Sequence, residues 1–387
     1  MKALWEAVRQ VEDQVVAWRR DIHAHPEPAF EEVRTAGLAA EVCKQLGFEV
    51  RTGIAKTGLV ADLDVGADRR IGFRADMDAL KMTEENDLPY RSLNEGVAHM
   101  CGHDAHTAML LGTATVLAGM KEQLGCNVRF IFQPSEEAPP GGAVDMVRAG
   151  AHEGLDEVYA IHVDSSHPTG VFCVNEGATL ASADEFEIII RGKGGHGASP
   201  HVTHDPIVAA SEVILALQTI VSRRRDPIDP VVVSVCQVNA GTAFNVIPMH
   251  ATLKGTFRTL CDATRQMMPG TIEEVARTAA SVHRCEVDMK LFRGYPMTIN
   301  HPRQVQRVRD VIGKLFDNPE QLGERPARMG GEDFSFFLEK VPGAFIWLGT
   351  KNPEKGIIHE GHHPRFNIDE AAMVNGVALF CGLALKG

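Results

Sequence analysis

Short apolar runs alternate with helical patterns along this chain, and that alternation limits its fold more than any other feature. Runs with the length and composition of buried strands lie at residues 59–63, 71–73, 128–132 and 158–161. Apolar side chains recur at helical spacing in residues 4–23, 31–46, 105–118 and 143–149. Buried strands that alternate with helices predict an α/β domain, a mixed sheet with helices on both of its faces.

The pattern changes near Ser182, where an α+β mixture begins. Strand patterns follow at residues 185–191, 231–238, 251–258 and 286–292, and helical patterns at residues 206–221 and 264–282. The rest, a helix at 302–316, a strand at 344–348 and a helix at 369–385, has too few strands to stand alone. With 387 residues the chain suits two domains. We predict a discontinuous domain of residues 1–182 and 297–387, with an inserted domain of residues 183–296.

Charge and composition exclude several classes of partner. Lys plus Arg total 39 and Asp plus Glu total 51, a net charge of −12, which disfavours nucleic acid and anionic membranes. The one basic run, residues 223–225, is expected to end a helix, where cations suit the dipole. No apolar stretch approaches the ~20 residues that span a bilayer, and no signal core follows Met1. Eight scattered cysteines without a CxxC pair predict a reducing, cytoplasmic location.

The segment HMCGHDAH, residues 99–106, is the densest group of metal-binding side chains in the chain. Cys101 and His103 are two positions apart, so an extended segment would direct both to one face. Gly102 between them relieves crowding. A thiolate and an imidazole on one side form a metal-ligand pair. The composition therefore predicts a metal site rather than a loop with incidental histidines.

Two adjacent carboxylates follow the apolar strand at residues 128–132. Glu136 and Glu137 come just past that strand, at the place where α/β sheets carry their sites. Adjacent residues at a strand end point in opposite directions. One Glu can then bind metal while the other faces a bound water as general base, and a metal charge removes their repulsion. A solvated acidic loop is the alternative.

Weaker candidates stand at other predicted strand ends. His162 ends the strand at residues 158–161, and the segment HEGHHPRF forms a histidine-rich loop at residues 359–366. Asp76 and Asp78 follow another strand and either orient a ligand histidine or cap the next turn. Each of these has an ordinary structural explanation when taken alone. Together they supply Cys, His, Glu, His and His with a spare Glu, as a hydrolytic metal site requires.

Six segments together resemble the M20 metallopeptidase family. They are RDIHAHPE at residues 20–27, HMCGHDAH at 99–106, QPSEE at 133–137, GGHGASPH at 194–201, NVIP at 245–248 and HHPRF at 362–366. The resemblance runs nearly end to end. It is strongest to the branch of hippurate hydrolases, aminoacylases and auxin-conjugate amidohydrolases.

The resemblance implies a catalytic domain that holds two divalent metal ions and an inserted lid domain that often forms dimers. Matching positions imply the ligands Cys101, His103, Glu137, His162 and His362. His362 is preferred to His363 because it fits the family pattern His-x-Pro-x-Phe. Glu136 matches the catalytic base, and Asp78 matches the carboxylate that supports the metals. In the lid, His196 and Asn245 match groups that reach an active site, often the partner subunit's, and stabilise the oxyanion.

The activity that the resemblance implies is hydrolysis of N-acyl amino acids, such as hippurate-like or N-acetyl conjugates, by a metal-activated water with Glu136 as general base and acid. The metals are expected to be zinc or manganese, with cobalt or nickel as further options. Arg258 or Arg328 would bind a substrate carboxylate, unless they are surface arginines. The chain departs from the family at Lys81, where proline is usual, and in the segment DSSHP at residues 164–168. Both lie near the predicted site and leave the substrate preference open.

Three other functions fit the same residues. A dipeptidase of the same fold would accept a free α-amino group. A catalytically silent metal-binding protein that recognises conjugates would need no general base, so the presence of Glu136 argues against it. A hydrolase of larger proteins is disfavoured by a closing lid. The expected partner is therefore a small-molecule N-acyl amino acid, and the lid is expected to join copies into a homodimer or a larger homo-oligomer.

Overall fold

The computed structural model describes residues 1–386 of the chain. Its helices are α1 (Lys2–Ala24), α2 (Val33–Gln45), α3 (His103–Gly119), α4 (Ala143–Arg148), α5 (Pro206–Thr219), α6 (Asp262–Val282), α7 (Pro302–Leu315), α8 (Ser335–Leu338) and α9 (Met373–Ala384). Short 3₁₀ turns lie at Lys121–Gln123, Pro200–Val202, Pro319–Gln321, Pro353–Lys355 and Glu370–Ala372. A π-helical turn, Ile220–Arg224, extends α5 and carries two of the three arginines, as expected for a helix end.

The strands are more numerous than the apolar runs suggested, and those that match a run extend beyond it. They are β1 (Glu49–Ile54), β2 (Gly58–Leu63), β3 (Arg70–Asp76), β4 (Asn127–Gln133), β5 (Glu157–Pro168), β6 (Phe172–Cys173), β7 (Gly177–Leu180), β8 (Ser182–Arg191), β9 (Gly195–His196), β10 (Val231–Ala240), β11 (Val246–Ile247), β12 (His250–Thr259), β13 (Glu286–Tyr295), β14 (Thr298–Asn300), β15 (Leu322–Gly323) and β16 (Gly343–Lys351).

The first compact unit comprises Met1–Thr179, Ile299–Pro326 and the chain from Asp333 onward. Among its described residues, eight strands form one sheet in the order β1-β2-β4-β3-β5-β16-β6-β15. The four central strands, β4, β3, β5 and β16, run parallel. β1 and β2 pair antiparallel with their neighbours, and β6 pairs antiparallel with β16 and parallel with β15. Because central parallel strands are buried on both faces, their sequences are the continuous apolar runs seen above.

One face of this sheet carries the main hydrophobic core. Ile71, Phe73 and Ala75 alternate along β3 into the same core as the apolar faces of α1, α2, α3, α7 and α9. Helix α3 packs against α1, α9 and β3, and it is apolar on nearly every side because it is enclosed. This packing fixes the start of α3 beside the ends of the central strands.

The opposite face of the sheet is lined by polar and aromatic side chains of the same strands. Arg74 and Gln133 both donate to Asp333 Oδ1, at 2.9 Å and 2.7 Å, just before α8. The ring of Phe334 packs on that of Phe345, with centroids 6.1 Å apart, and α4 packs on α8. The prediction of an α/β mixed sheet with helices on both faces is confirmed.

The carboxyl ends of the central strands meet at one edge of the sheet. Asp76, the last residue of β3, is paired with Gln133, the last residue of β4. In β5 the pairing of Arg74 with Ala160 places His162 level with that edge. The prediction that His162 ends its strand is wrong, because β5 continues along β16 as far as Pro168 after β3 has stopped. His162 nevertheless stands where sites occur in such sheets.

The second compact unit comprises Leu180–Thr298 and Ala327–Glu332; the predicted insertion, residues 183–296, lies within the longer stretch. Its antiparallel sheet has the order β10-β12-β8-β13. Phe186, Ile188 and Ile190 alternate along β8 into a core that they share with α5 and α6. An alternating strand with one buried face is what antiparallel sheets show when helices cover one side.

One helical stretch of the second unit, Pro206–Arg224, is long and apolar enough to cross a membrane, with 19 residues and a mean hydropathy of 1.3. The expectation that no stretch approaches this length is wrong here, because such a window tolerates polar residues such as Glu212 and Gln218. A single helix of this kind is weak support for membrane insertion. Val213 and Leu217 on this helix are buried in the core of the unit.

Candidate metal centre

The start of α3, not an extended strand, brings Cys101 and His103 together. Gly102 has φ +90° and is the residue from which α3 begins at His103. The extended-segment explanation is therefore wrong, because a left-handed residue turns the chain between the two side chains. A Cβ on Gly102 would lie 2.3 Å from Cγ2 of Val163. Both the backbone conformation and the close approach of β5 require glycine here.

Replacing Gly102 with alanine should destabilise the protein. A left-handed non-glycine residue costs about 1–3 kcal/mol, and the contact with Val163 adds to this. Urea unfolding of the metal-free protein measures the change. Gly119→Ala, at the other end of α3, is the matched control, because a Cβ there meets nothing within 4 Å. Equal stability of the two variants would contradict the explanation.

Cys101, His103 and His162 form a first ligand group, with one ligand atom from each all within 4.8 Å of one another. Cys101 Sγ lies 3.5 Å from His162 Nε2. The other nitrogen of each ring is fixed by a main-chain oxygen: His162 Nδ1 lies 2.7 Å from that of Val163, and His103 Nδ1 lies 2.8 Å from that of Asp78. Each histidine therefore donates from Nδ1 and presents Nε2 to the group.

Cys101, Glu137 and His362 form a second group with the same spacing. His362 Nε2 lies 3.1 Å from Glu137 Oε1. Because Cys101 belongs to both groups, the thiol stands between two adjacent positions that a cation can occupy. The structure thus brings together all five residues that the resemblance implied as ligands, Cys101, His103, Glu137, His162 and His362.

The electrostatics of this cluster favour positive charge. Hydrogen bonds to Cys101 and Glu137 raise the pKa of His362 to about 10. Burial lowers the pKa of His103, but the charges of Asp76 and Cys101 outweigh it and hold this pKa well above its ordinary value. Burial, followed by the charge of Glu137, raises the pKa of the Cys101 thiol. A bound cation would replace these protons, so the cluster suits metal binding that releases protons.

The donor set fits a divalent metal. Within residues 1–386, His103 Nε2 is buried and has no hydrogen-bond partner, although buried polar atoms rarely lack one. It points into a cluster of sulfur, nitrogen and carboxylate oxygen, the donors that zinc and related ions take. A metal at this place would satisfy the nitrogen.

Glu136 and Glu137 lie in a loop beyond β4, which ends at Gln133. Both carboxylates have an oxygen within 4.8 Å of the ligand nitrogen of His103. The expectation that they point in opposite directions is wrong, because the alternation of a strand does not extend into this loop. Asp78 holds the loop: its Oδ1 accepts from the amide of Glu136 at 2.9 Å and its Oδ2 from that of Glu137 at 3.0 Å.

The other two histidines of the segment at 99–106 are not in these ligand groups. His106 Nδ1 lies 2.6 Å from Asp76 Oδ1, and its Nε2 accepts from the amide of Val163 at 2.9 Å. Both ring nitrogens of His106 are thus engaged, so it supports β5 rather than a metal. Burial lowers the pKa of His99 to about 3, which keeps this imidazole neutral behind the cluster.

A buried ionic network behind the cluster was not foreseen. Asp104, the residue after His103, accepts from Arg19 Nε and lies against His23 Nδ1, each at 2.8 Å. His23 Nε2 in turn lies 3.2 Å from Glu84. The network ties the first turn of α3 to α1. Arg19 and His23 are one helical turn apart on the buried face of α1, which is the only sequence signal for their pairing.

The predicted lid residues belong to the second unit. His196 in β9 pairs with Val246 in β11, and the main-chain oxygen of Asn245 accepts from the amide of Gly197 at 2.8 Å. His196 and Asn245 are therefore neighbours, while their part in a reaction stays a prediction. Arg258 donates to the main-chain oxygen of Met329 at 3.1 Å, which is a structural contact.

Comparison with known proteins decides the family. The model for peptidase family M20/M25/M40 matches residues 72–386, most of the chain. The chain belongs to this family. The resemblance stated from the six motifs is confirmed, and the protein is a hydrolase of the M20 family, whose members act on amide bonds.

Relatives match nearly the whole M20 chain. Thermostable carboxypeptidase 1 of Saccharolobus solfataricus is 38% identical over 98% of this chain and 96% of its own. N-acetylcysteine deacetylase of Bacillus subtilis is 37% identical over 96% of each chain. IAA-amino acid hydrolase ILR1-like 4 of Arabidopsis thaliana is 37% identical over 97% of this chain and 86% of its own.

A solved structure of an M20 protein is similar to nearly the whole chain. The crystal structure of the YXEP protein of Bacillus subtilis, described as a dinuclear metal binding peptidase from the M20 family, has a TM-score of 0.85 to this chain. The two chains are 34% identical, with 97% of this chain and 98% of that chain covered.

Proposed function

We propose that the protein hydrolyses the amide bond of N-acyl amino acids with two divalent metal ions held by the two ligand groups around Cys101. One observation carries this proposal. Glu136 is nine-tenths buried and lies beside His103 and Glu137, yet it belongs to neither group that contains the thiol. A carboxylate that is placed at a metal cluster without being needed as a ligand is suited to act as a general base.

The metals would be zinc or manganese, or else cobalt or nickel. Cys101, His103 and His162 would hold one ion, and Cys101, Glu137 and His362 the other. Ions of this kind activate water and polarise the acyl carbonyl as Lewis acids. The sulfur ligand favours a borderline-soft ion, while the imidazole and carboxylate ligands accept all four metals.

The protein's own residues would carry the proton. Glu136 takes a proton from the attacking water and returns it to the nitrogen of the leaving amine. Asp78 keeps Glu136 and Glu137 in place through their two amides. His103 and His162 stay in the Nε2-presenting tautomer because main-chain oxygens accept their Nδ1 protons. In the second unit, His196 and Asn245 are proposed to stabilise the oxyanion.

The names of the relatives suggest the substrate class. A deacetylase of N-acetylcysteine, a hydrolase of IAA-amino acids and a carboxypeptidase are all named for substrates with an amino acid on the nitrogen side of the cleaved amide bond. We therefore propose a substrate with a free amino-acid carboxylate and a variable acyl group. Arg258 and Arg328 are the two arginines considered for that carboxylate.

A substrate panel tests the proposal. Protein reconstituted with zinc or manganese is assayed on benzoylglycine, several N-acetyl amino acids and several free dipeptides, with and without a chelator. Hydrolysis of the acyl amino acids that the chelator abolishes is the expected result. Turnover of free dipeptides alone would instead assign a dipeptidase. Metal binding without turnover of any compound would leave the catalytically silent binding protein.

The remaining predictions concern assembly and location. In the second unit β10 is an edge strand of its sheet, and the whole of its second half is exposed, including Val238. Leu215 on α5 is exposed as well. An unpaired strand edge with apolar neighbours is a surface on which another chain can add a strand. We propose homodimer formation through this unit, and a cytoplasmic location.

A further inference from the structure

Glu32, at the start of α2, is a buried carboxylate that holds three separate segments. Its side chain has 0% exposure. Oε1 accepts from the amides of Phe30 at 2.9 Å and Ser135 at 2.8 Å, and Oε2 accepts from Thr57 Oγ1 at 2.5 Å. Ser135 immediately precedes Glu136. The contacts of Glu32 therefore reach the loop that carries the proposed general base.

The segments that Glu32 holds are strained. Phe30 has φ +62° and Ser135 has φ +54°, and Lys56, the residue before Thr57, has φ +73°. Each left-handed residue of this kind costs about 1–3 kcal/mol and persists only where the surroundings enforce it. The amides of Phe30 and Ser135 are bound by the same oxygen, Oε1. Glu32 is thus in a position to enforce both conformations.

Three consecutive amides of the loop are bound by two carboxylates. The amide of Ser135 donates to Glu32, and those of Glu136 and Glu137 donate to Asp78. Asp78 holds only the second part of the loop. Without Glu32 the amide of Ser135 would lose its partner, and the entry would keep only the bond from the amide of Gly142 to the main-chain oxygen of Ser135, at 2.8 Å. The left-handed turn at Ser135 determines the direction in which the chain enters Glu136.

We propose that Glu32 is a positioning residue for the reaction, which aims the Glu136 carboxylate by holding Ser135 in the left-handed conformation. The proposal rests on the proposed role of Glu136 as general base. Because a displacement of about 1 Å at a reacting group lowers the rate on the order of 10²-fold, loss of this restraint should affect kcat more than KM.

The test compares Glu32→Leu with Glu27→Leu. Glu27 is a matched control because its carboxylate also accepts two amides at the start of α2, those of Arg34 and Thr35 at 2.8 Å and 2.9 Å, without reaching the loop. Glu32→Leu is expected to lower kcat on the order of 10²-fold, with little change in KM or metal content. Glu27→Leu should keep the kcat of the wild type. Equal losses in both variants, or none in Glu32→Leu, would overturn the proposal.

A second readout does not depend on activity. Hydrogen exchange of the metal-free protein should be faster in the peptide that covers residues 133–138 for Glu32→Leu and unchanged there for Glu27→Leu. Hydrogen exchange can be measured even if the wild type hydrolyses no amide. Failure of the proposed function and failure of this inference are therefore distinguishable. Unchanged exchange in that peptide would overturn the inference alone.

A double-variant cycle addresses the strain directly. Glycine adopts positive φ freely, and Ser135 Oγ has no hydrogen-bond partner within residues 1–386, so Ser135→Gly removes strain without removing a bond. Glu32→Leu should then lower kcat much less in the Ser135→Gly background than in the wild type. If Glu32→Leu does not fold, Glu32→Asp, which shortens the reach by one methylene, takes its place in both measurements. Identical effects in both backgrounds would contradict the proposed mechanism.

Discussion

Glu136→Gln is expected to lower kcat by about 10²–10⁴-fold, the usual contribution of a positioned general acid and base. The substitution keeps the size of the side chain and removes its ability to accept the proton. The metal content should stay that of the wild type, because Glu136 belongs to neither group that contains Cys101. Steady-state kinetics on the best substrate of the panel, with metal analysis of the same sample, measure both quantities.

Glu137→Gln is the matched control, since it is the same change at the adjacent residue. Glu137 shares the second group with Cys101 and His362, so this variant should lose metal as well as activity. High metal concentration should restore part of the activity of Glu137→Gln and none of that of Glu136→Gln. Near-normal turnover by Glu136→Gln at full metal content would show that another group moves the proton.

The pattern of apolar residues was sufficient to predict the helices and strands that are buried along much of their length. The helix predicted at residues 4–23 is α1, Lys2–Ala24, and the strand predicted at 128–132 is β4, Asn127–Gln133. Elements without such a face were missed. β1 is largely exposed, and β6 and β15 have two residues each. Such strands form because a neighbouring strand pairs with them. This pairing depends on the tertiary structure and cannot be read from the local composition.

The metal site was predicted in part, but some of the reasons given for it from the sequence differ from the geometry that the structure shows. The residue types of the segment at 99–106 indicated a metal site, but the geometry that joins Cys101 to His103 is a left-handed glycine and a helix start. The ligand set came from the family resemblance, which selected His362 from a loop with several histidines. Strand spacing also gave the wrong directions for the side chains of Glu136 and Glu137, because the strand ends at Gln133 and both residues lie in the loop beyond it.

Two of the supporting residues, Glu32 and Arg19, could not have been found from the sequence, although Asp78 was. Glu32 acts on Ser135 across 103 positions of sequence, and Arg19 acts on Asp104 across 85. Each is an ordinary charged residue at the end or on the face of a helix. Their role depends on which elements the core brings together, and one sequence does not contain that information.

Cys101→Ala is expected to abolish binding of both metals, whereas His162→Ala and His362→Ala should each weaken one. The reason is geometric. Cys101 is the one residue common to the group with His103 and His162 and the group with Glu137 and His362. Loss of both ions removes several kcal/mol of transition-state stabilisation, which corresponds to roughly 10³-fold or more in kcat. Metal analysis after equilibrium dialysis, with kinetics on the same samples, provides the measurement.

Cys43→Ala serves as the control for loss of a buried cysteine. Cys43 is a free thiol buried in α2 and belongs to neither ligand group, so its removal should leave the metal content unchanged even though it creates a small cavity. The three ligand variants then separate two arrangements. A shared thiol predicts that Cys101→Ala loses more metal than either histidine variant, because each of those leaves the other group intact. Equal metal loss in all three variants would mean that the ions bind only together, and retention of one ion by Cys101→Ala would mean that the thiol serves a single position.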